Sequence, residues 1–139
     1  MKDKERYILN KVNQEMNLDL QEADYEYSRF DAYNDEFIAE IKFREKDYKW
    51  PLIEFDKYTF NNEYAKLNNR LFLYIVGVKE PKKKIYIYNI SDINAQIGHN
   101  YRWEWTEKMP KQTEFKDTEK VWKYIGYLNR DLKTAEIDL

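Results

Sequence analysis

Phe37, Ala39, Ile41 and Phe43 alternate with Ile38, Glu40, Lys42 and Arg44. A period of two over eight residues places these two sets on opposite faces of an extended strand. The stretch before it, Tyr25 to Tyr33, carries the same period more weakly, with Phe30 and Ala32 to one side and Arg29 and Asp31 to the other. Asn34-Asp35 between them is a turn signal. A β-hairpin that joins these two strands is therefore the feature around which the rest of the chain must be arranged.

Other elements follow from the same reading. Ile8, Val12 and Met16 recur at helical spacing within about Lys4 to Met16, which predicts an amphipathic helix with Glu5 at the edge of its apolar face. Ile53 to roughly Leu67 reads as a second helix. Leu71 to Val78 is a continuous apolar run of strand length, as expected of a strand covered on both faces. A polar turn through Lys82-Lys83-Lys84 leads into Ile85 to Ile90, a further strand pairing back as a hairpin. Ser91-Asp92 is placed to start a short helical turn. Tyr101 to Trp105 is expected as a strand, and Thr118 to Leu128 as a closing helix with Val121, Ile125 and Leu128 as its stripe. The order points to one α/β domain with a mixed central β-sheet flanked by helices, spanning the 139 residues.

Composition limits the chemistry open to such a domain. With 13 Tyr, 7 Phe and 4 Trp among the residues, much of the core must be built from rings whose polar ends need partners or water. There is no cysteine and one histidine, so zinc-finger ligand sets are excluded and His99 has no partner set for a nucleophilic triad. Catalysis has to run on carboxylates, lysine and a hard cation. A net charge of −2 means that any nucleic acid is attracted by local patches rather than by the whole molecule. The charged start MKDKERYILN has no signal-like apolar stretch, and no run reaches the roughly 20 apolar residues that cross a bilayer. The expectation is an intracellular, cytoplasmic protein with no membrane contact.

The hairpin suggests which groups act. Asp31 on one strand and Glu40 on the next come within roughly 5–8 Å whichever register the turn imposes. Two acceptor-only carboxylates held that close repel one another unless a cation sits between them. Mg²⁺ suits that slot, because it takes one or two carboxylates, keeps waters and leaves positions for a phosphate. The backbone carbonyl of Ile41 is an available third oxygen. Lys42, on the same face as Glu40, is placed to orient a water or to stabilise charge on the reacting phosphate. A cross-strand acid–acid–lysine group is also what a solvated ion-pair face would show.

The segments Arg29-Phe30-Asp31-Ala32-Tyr33 and Phe37-Ile38-Ala39-Glu40-Ile41-Lys42-Phe43-Arg44 resemble the core of the PD-(D/E)XK, or restriction-endonuclease-like, nuclease superfamily. In that superfamily an Asp ends one strand and Glu-x-Lys lies within an apolar next strand. The helix and apolar strand that follow are similar too, so the likeness covers roughly the first ninety residues in element order. Phe30 stands where the family usually has proline. The resemblance implies a restriction-endonuclease-like core, hydrolysis of DNA phosphodiesters with Mg²⁺ (or Mn²⁺ in its place), and a glutamate contributed by the first helix. Glu5 is the first choice for that glutamate and Glu15 the second.

Substrate contacts are expected from Arg44, which continues the Glu40–Lys42 face, from Lys57 in the helix that follows, and from Lys82, Lys83 and Lys84 at a hairpin tip. No sequence-reading element is recognisable, which implies a preference for DNA structure such as branches, ends or nicks, or targeting through a homodimer or a protein partner. The Asn-, Lys-, Ile- and Tyr-rich usage suits a phage or mobile element. The alternative is a catalytically inactive module of the same fold that binds nucleic acid or a protein. A plain assembly protein would leave the hairpin face solvated and metal-free.

Overall fold

A computed structural model describes residues 1–24, 29–48, 50–94, 101–110 and 120–139, with side-chain surroundings for all of these but 94, 101–110 and 120–122. The described elements run α1 (Asp3–Met16), β1 (Gln21–Glu22), β2 (Ala32–Tyr33), β3 (Phe37–Lys46), β4 (Leu52–Glu54), α2 (Phe55–Leu67), β5 (Leu71–Glu80), β6 (Lys84–Asn89), α3 (Ile90–Asn94), β7 (Tyr101–Pro110), β8 (Lys120–Leu128), a 3₁₀ turn (Arg130–Leu132) and β9 (Ala135–Asp138). The expected class is observed: a mixed α/β fold built on a mixed sheet with helices against its faces.

The larger sheet has the order β1-β2-β3-β5-β6-β9. All its neighbours are antiparallel except β3 and β5, which run parallel with Glu40 beside Tyr74 and Lys42 beside Val76. Parallel neighbours need a crossover, and here β4 and α2 supply it. A second, three-stranded antiparallel sheet has the order β4-β8-β7.

Two apolar clusters lie on opposite faces of the large sheet. On one, Ile8, Leu9 and Val12 of α1 pack on Ala39, Ile41, Leu73, Ile75, Ile85 and Ile87. Close approach of α1 depends on Gly77, where an added Cβ would stand 2.4 Å from Ile8 Cδ1. On the other face Ile38, Phe72, Tyr74, Val76 and Tyr88 meet Ala65 of α2, Ile53 of β4 and Leu128 of β8. The alternation along β3 is therefore divided between two buried layers, and Glu40 lies under α2 with only 3% of its surface exposed. A solvated ion-pair face is not what this strand presents.

Three expectations need correction. Residues 118–128 were expected to be helical, but 120–128 form β8, paired along β7 with Tyr101 beside Leu128 and Trp105 beside Tyr124. The apolar spacing of Val121, Ile125 and Leu128 fits a helix, yet Trp122, Tyr124 and Tyr127 between them are ring residues that favour a pleated surface. Ile53 and Glu54 were assigned to the second helix, but they form β4, where Ile53 pairs with Gly126. The strand carrying Asp31 is also shorter than expected. Residues 25–28 lie outside the described region, the chain bends at 29–31, and only Ala32 and Tyr33 are extended. Phe30 consequently packs with Tyr33 and Tyr64 on the α2 side, whereas Ala32 faces α1. The expected strand at Tyr101–Trp105 is present and continues to Pro110. His99 lies outside the described residues, as do 111–115.

Candidate functional site

Asn34 sets the hairpin. Its side-chain oxygen accepts the N–H groups of Glu36 (2.9 Å) and Phe37 (2.6 Å), while its amide donates to the Leu18 carbonyl (2.7 Å). With that turn closed, Ala32 pairs with Ala39 and Tyr33 with Ile38, which puts Asp31 at the next step of the ladder, level with Glu40. Asp31 then takes the place of a strand. Its N–H donates to the Ala39 carbonyl at 2.8 Å and its carbonyl accepts from Ala23 at 2.9 Å. Its Oδ2 accepts the N–H of Ile41 at 2.7 Å. The carboxylate so continues an edge that the two-residue β2 is too short to cover.

Glu40 lies buried on the face beneath α2. Its Oε1 is shared by two ammonium groups, Lys57 Nζ at 3.1 Å and Lys42 Nζ at 3.5 Å. Burial and the charge of Asp31 outweigh both lysines and push its carboxyl up to about 6. Asp31 is raised as well, first by burial and then by the charge of Glu5, against the Ile41 hydrogen bond and the two lysines. The lysines diverge. Burial holds Lys42 below the ordinary lysine range, assisted by the neighbouring Lys57 and Arg44 and opposed by Glu40. Lys57 is also penalised by burial, but Glu40, the Lys42 amine and Glu54 hold its proton above that range. Such opposed shifts in one buried group of acids and amines are a mark of sites that do chemistry.

The expected residues are therefore partly assembled. Asp31, Glu40, Lys42 and Lys57 meet at the junction of β2, β3 and α2. Glu5 is felt at Asp31 through its charge, while its carboxylate accepts the Lys2 backbone N–H at 3.4 Å. Glu15 is exposed and pairs with Lys11 at 3.3 Å, so the choice between the two falls on Glu5. Arg44 lies half-buried on the same face, at the Tyr74 hydroxyl. Lys82 and Lys83 are exposed at the β5–β6 turn. Lys84 lies in β6 and is paired with Asp138 and Glu136 of β9.

Two contributions escaped the sequence reading. Lys57 was assigned to the substrate, yet it makes the shorter of the two ammonium contacts to Glu40. Lys57 falls in the first turn of α2, where a lysine opposes the helix dipole, only because the helix starts at Phe55 rather than at Ile53, so the sequence carried no such signal. Glu54, at the α2 N-terminus, was not singled out. It pairs with Lys123 of β8 at 2.9 Å, both side chains being largely buried. Burial raises its carboxyl, but Lys123, Lys57 and Lys42 together hold it below the ordinary range. The unfolded chain thus takes up this proton first as pH falls, so the stability it contributes is present above 4.5 and lost below. Glu54→Gln should cost about 2 kcal/mol at neutral pH and much less at about pH 3, as read by urea unfolding at both values.

Asp31 and Glu40 stand level with each other across the hairpin. The contacts above engage Asp31 Oδ2 and Glu40 Oε1, which leaves Asp31 Oδ1 and Glu40 Oε2 as the atoms that would bind a cation. In an extended strand the N–H and C=O of one residue leave on the same edge, so the Ile41 carbonyl points to the side where its N–H meets Asp31. Among the described residues no group of three or more His, Cys, Asp or Glu is placed to hold a metal. A cation here would rest on two carboxylates, one carbonyl, water and substrate, a donor set within the habit of Mg²⁺ and too hard and sparse for zinc. No helix among the described residues is long and apolar enough to cross a membrane. No family model matches this chain, and neither a curated protein nor a solved structure matches it.

Proposed function

We propose that this chain is a Mg²⁺-dependent nuclease that hydrolyses DNA phosphodiesters, with a restriction-endonuclease-like core and Asp31, Glu40 and Lys42 as its working group. The observation that carries this reading is the pair of carboxylates level with each other across the hairpin, Asp31 and the buried Glu40, with Asp31 raising the Glu40 carboxyl and the largely buried Lys42 3.5 Å from it. An acid pair of that kind is a burden on a protein that only folds, and a bound cation relieves it.

When bound, Mg²⁺ (or Mn²⁺) polarises the scissile phosphate and makes water a stronger acid. Asp31, Glu40 and the Ile41 carbonyl would hold it. Ile41 N–H fixes the Asp31 carboxylate, so the ligand geometry is set before substrate arrives. Lys57 holds Glu40 from the α2 side and keeps its Oε1 satisfied. Lys42 orients the attacking water or stabilises charge on the reacting phosphate. Glu5 adds negative charge near Asp31 and supports the cation's waters. Arg44, Lys82 and Lys83 contact flanking phosphates. With a net charge of −2 the substrate is held locally, which favours recognition of DNA structure over long sequence, with a homodimer or protein partner for targeting.

A second reading, a non-catalytic nucleic-acid or protein-binding module of the same fold, is favoured by one observation: Glu40 already has two lysine partners. Incubation with supercoiled plasmid separates the two. The nuclease reading expects nicking and linearisation with Mg²⁺, lost on chelation and in Asp31→Asn. Binding without cutting at any metal concentration would favour the module.

A further inference from the structure

α2 presents one face to the hairpin. Lys57, Phe60, Asn61 and Tyr64 are spaced i, i+3, i+4 and i+7, so they share a side of the helix. Lys57 pairs with Glu40 at 3.1 Å. The other three meet the bend that carries Asp31. The Arg29 guanidinium lies over the Phe60 ring at 4.9 Å, and the Phe30 ring packs on Tyr64 with 5.1 Å between centroids. Between those contacts Asn61 Nδ2 donates to the Arg29 carbonyl at 3.3 Å. One helix therefore holds both halves of the acid pair, Glu40 directly and Asp31 through the two residues before it.

The fold itself gains little from Asn61. The side chain is fully buried, and its Oδ1 has no hydrogen-bond partner among the described residues. An unpaired buried acceptor costs free energy that an apolar side chain of similar size does not. The hydrogen bond that Asn61 does make is long, and Arg29 is exposed, so water would satisfy that carbonyl in its place. What water does not supply is a fixed position. Asp31 lies ahead of the two-residue β2, held to β3 by its own N–H on the Ala39 carbonyl and by its Oδ2 on the Ile41 N–H. A tie from α2 to Arg29 restrains the freedom that remains in that bend. A residue kept at a cost to stability is what a working site retains.

We propose that Asn61 is a positioning residue for the Asp31 carboxylate: its amide anchors the Arg29–Asp31 bend to α2 and so sets Asp31 beside Glu40 before a cation arrives. The proposal rests on the nuclease reading for its purpose, and it adds a residue that touches neither metal nor DNA. A preset ligand geometry raises metal affinity, and loss of such an outer partner ordinarily costs about 10- to 100-fold.

Amide hydrogen exchange followed by NMR on the metal-free full chain is the test, with Asn61→Leu beside the parent. The Ile41 N–H, which reports the Asp31 side chain, and the Asp31 N–H should exchange about tenfold faster in the variant. The amides of Leu73 and Ile75 in β5 should keep their rates, and the thermal melt should be unchanged or higher. Asn61→Ala gives the same reading if leucine does not fit. In both variants the Mg²⁺ concentration for half-maximal binding, by calorimetry, should rise about tenfold. Exchange at Ile41 within roughly twofold of the parent overturns the proposal. So does an acceleration shared by β5 together with a lower melt, because Asn61 then serves the fold alone. An unchanged Mg²⁺ affinity, in a parent that binds the ion, overturns it equally. Mg²⁺ binding and DNA cutting by the parent are scored separately. Their absence beside faster Ile41 exchange removes the nuclease and keeps Asn61 as the anchor of Asp31, whereas cutting with Ile41 exchange unchanged keeps the nuclease and removes this role.

Discussion

Lys42→Ala should slow Mg²⁺-dependent DNA cleavage by about 100- to 10,000-fold, the range expected when a group that positions a proton or stabilises transition-state charge is removed. The fold should tolerate the change better than the chemistry does. Lys57 stays within 3.1 Å of Glu40, so the buried carboxylate keeps a cation after Lys42 is truncated. Lys42→Arg keeps the charge but not the compact ammonium, and in a site where the lysine is only 13% exposed the planar guanidinium should restore little. Single-turnover rates on one DNA substrate, beside a titration of Mg²⁺ binding, separate the two effects: a slow rate with metal affinity retained is expected. A rate equal to wild type would mean that Lys42 serves only as an ion-pair partner of Glu40.

The largest effect on stability is expected at Phe72→Ala, about 4 kcal/mol. Phe72 is fully buried on β5, in the layer where the sheet meets Ala65 of α2, Ile53 of β4 and Leu128 of β8. Its backbone N–H also donates to Ser91 Oγ at 3.0 Å, which ties α3 to the same strand. Removing the ring empties space between rigid elements that cannot close around it, so the cavity adds to the lost transfer free energy. The melting temperature should fall by on the order of 10 °C. The consequence reaches the site, because α2 carries Lys57 and β4 carries Glu54. Thermal unfolding followed by circular dichroism checks it, and a fall of only one or two degrees would mean that this face is not the main core.

How much of this was legible in the chain depended on how local the determinants were. β3 could be read because its alternation is written in consecutive residues. Its Glu40 could be brought near Asp31, opposite or diagonal, because Asn34-Asp35 marks where the chain reverses; the register itself came only from the structure. The covered strand at Leu71 was legible because burial on both faces removes polar residues from it altogether. β4 and β8 were not, since their pairing is with each other across about seventy residues, and nothing in either segment alone states it. Asp31 lies just before β2, in a bend, yet its backbone pairs with Ala39 and Ala23 and its side chain with Ile41, so it continues the strand edge without belonging to a regular strand. Lys57 acquires its importance from what lies under α2, and Glu54 from Lys123 of a strand that had been read as helix. Lys84 shows the converse, since its partners lie on β9, an edge strand with no signal in the local pattern.

The most direct measurement is cleavage of single-stranded, branched and linear duplex DNA by the purified chain with Mg²⁺ or with a chelator, wild type beside Glu40→Gln. Cutting by wild type alone, only with metal, and fastest on the branched form is the expected result. Equal cutting by both proteins, or none of any substrate at high protein concentration, would contradict the assignment of Asp31 and Glu40 as a hydrolytic metal centre.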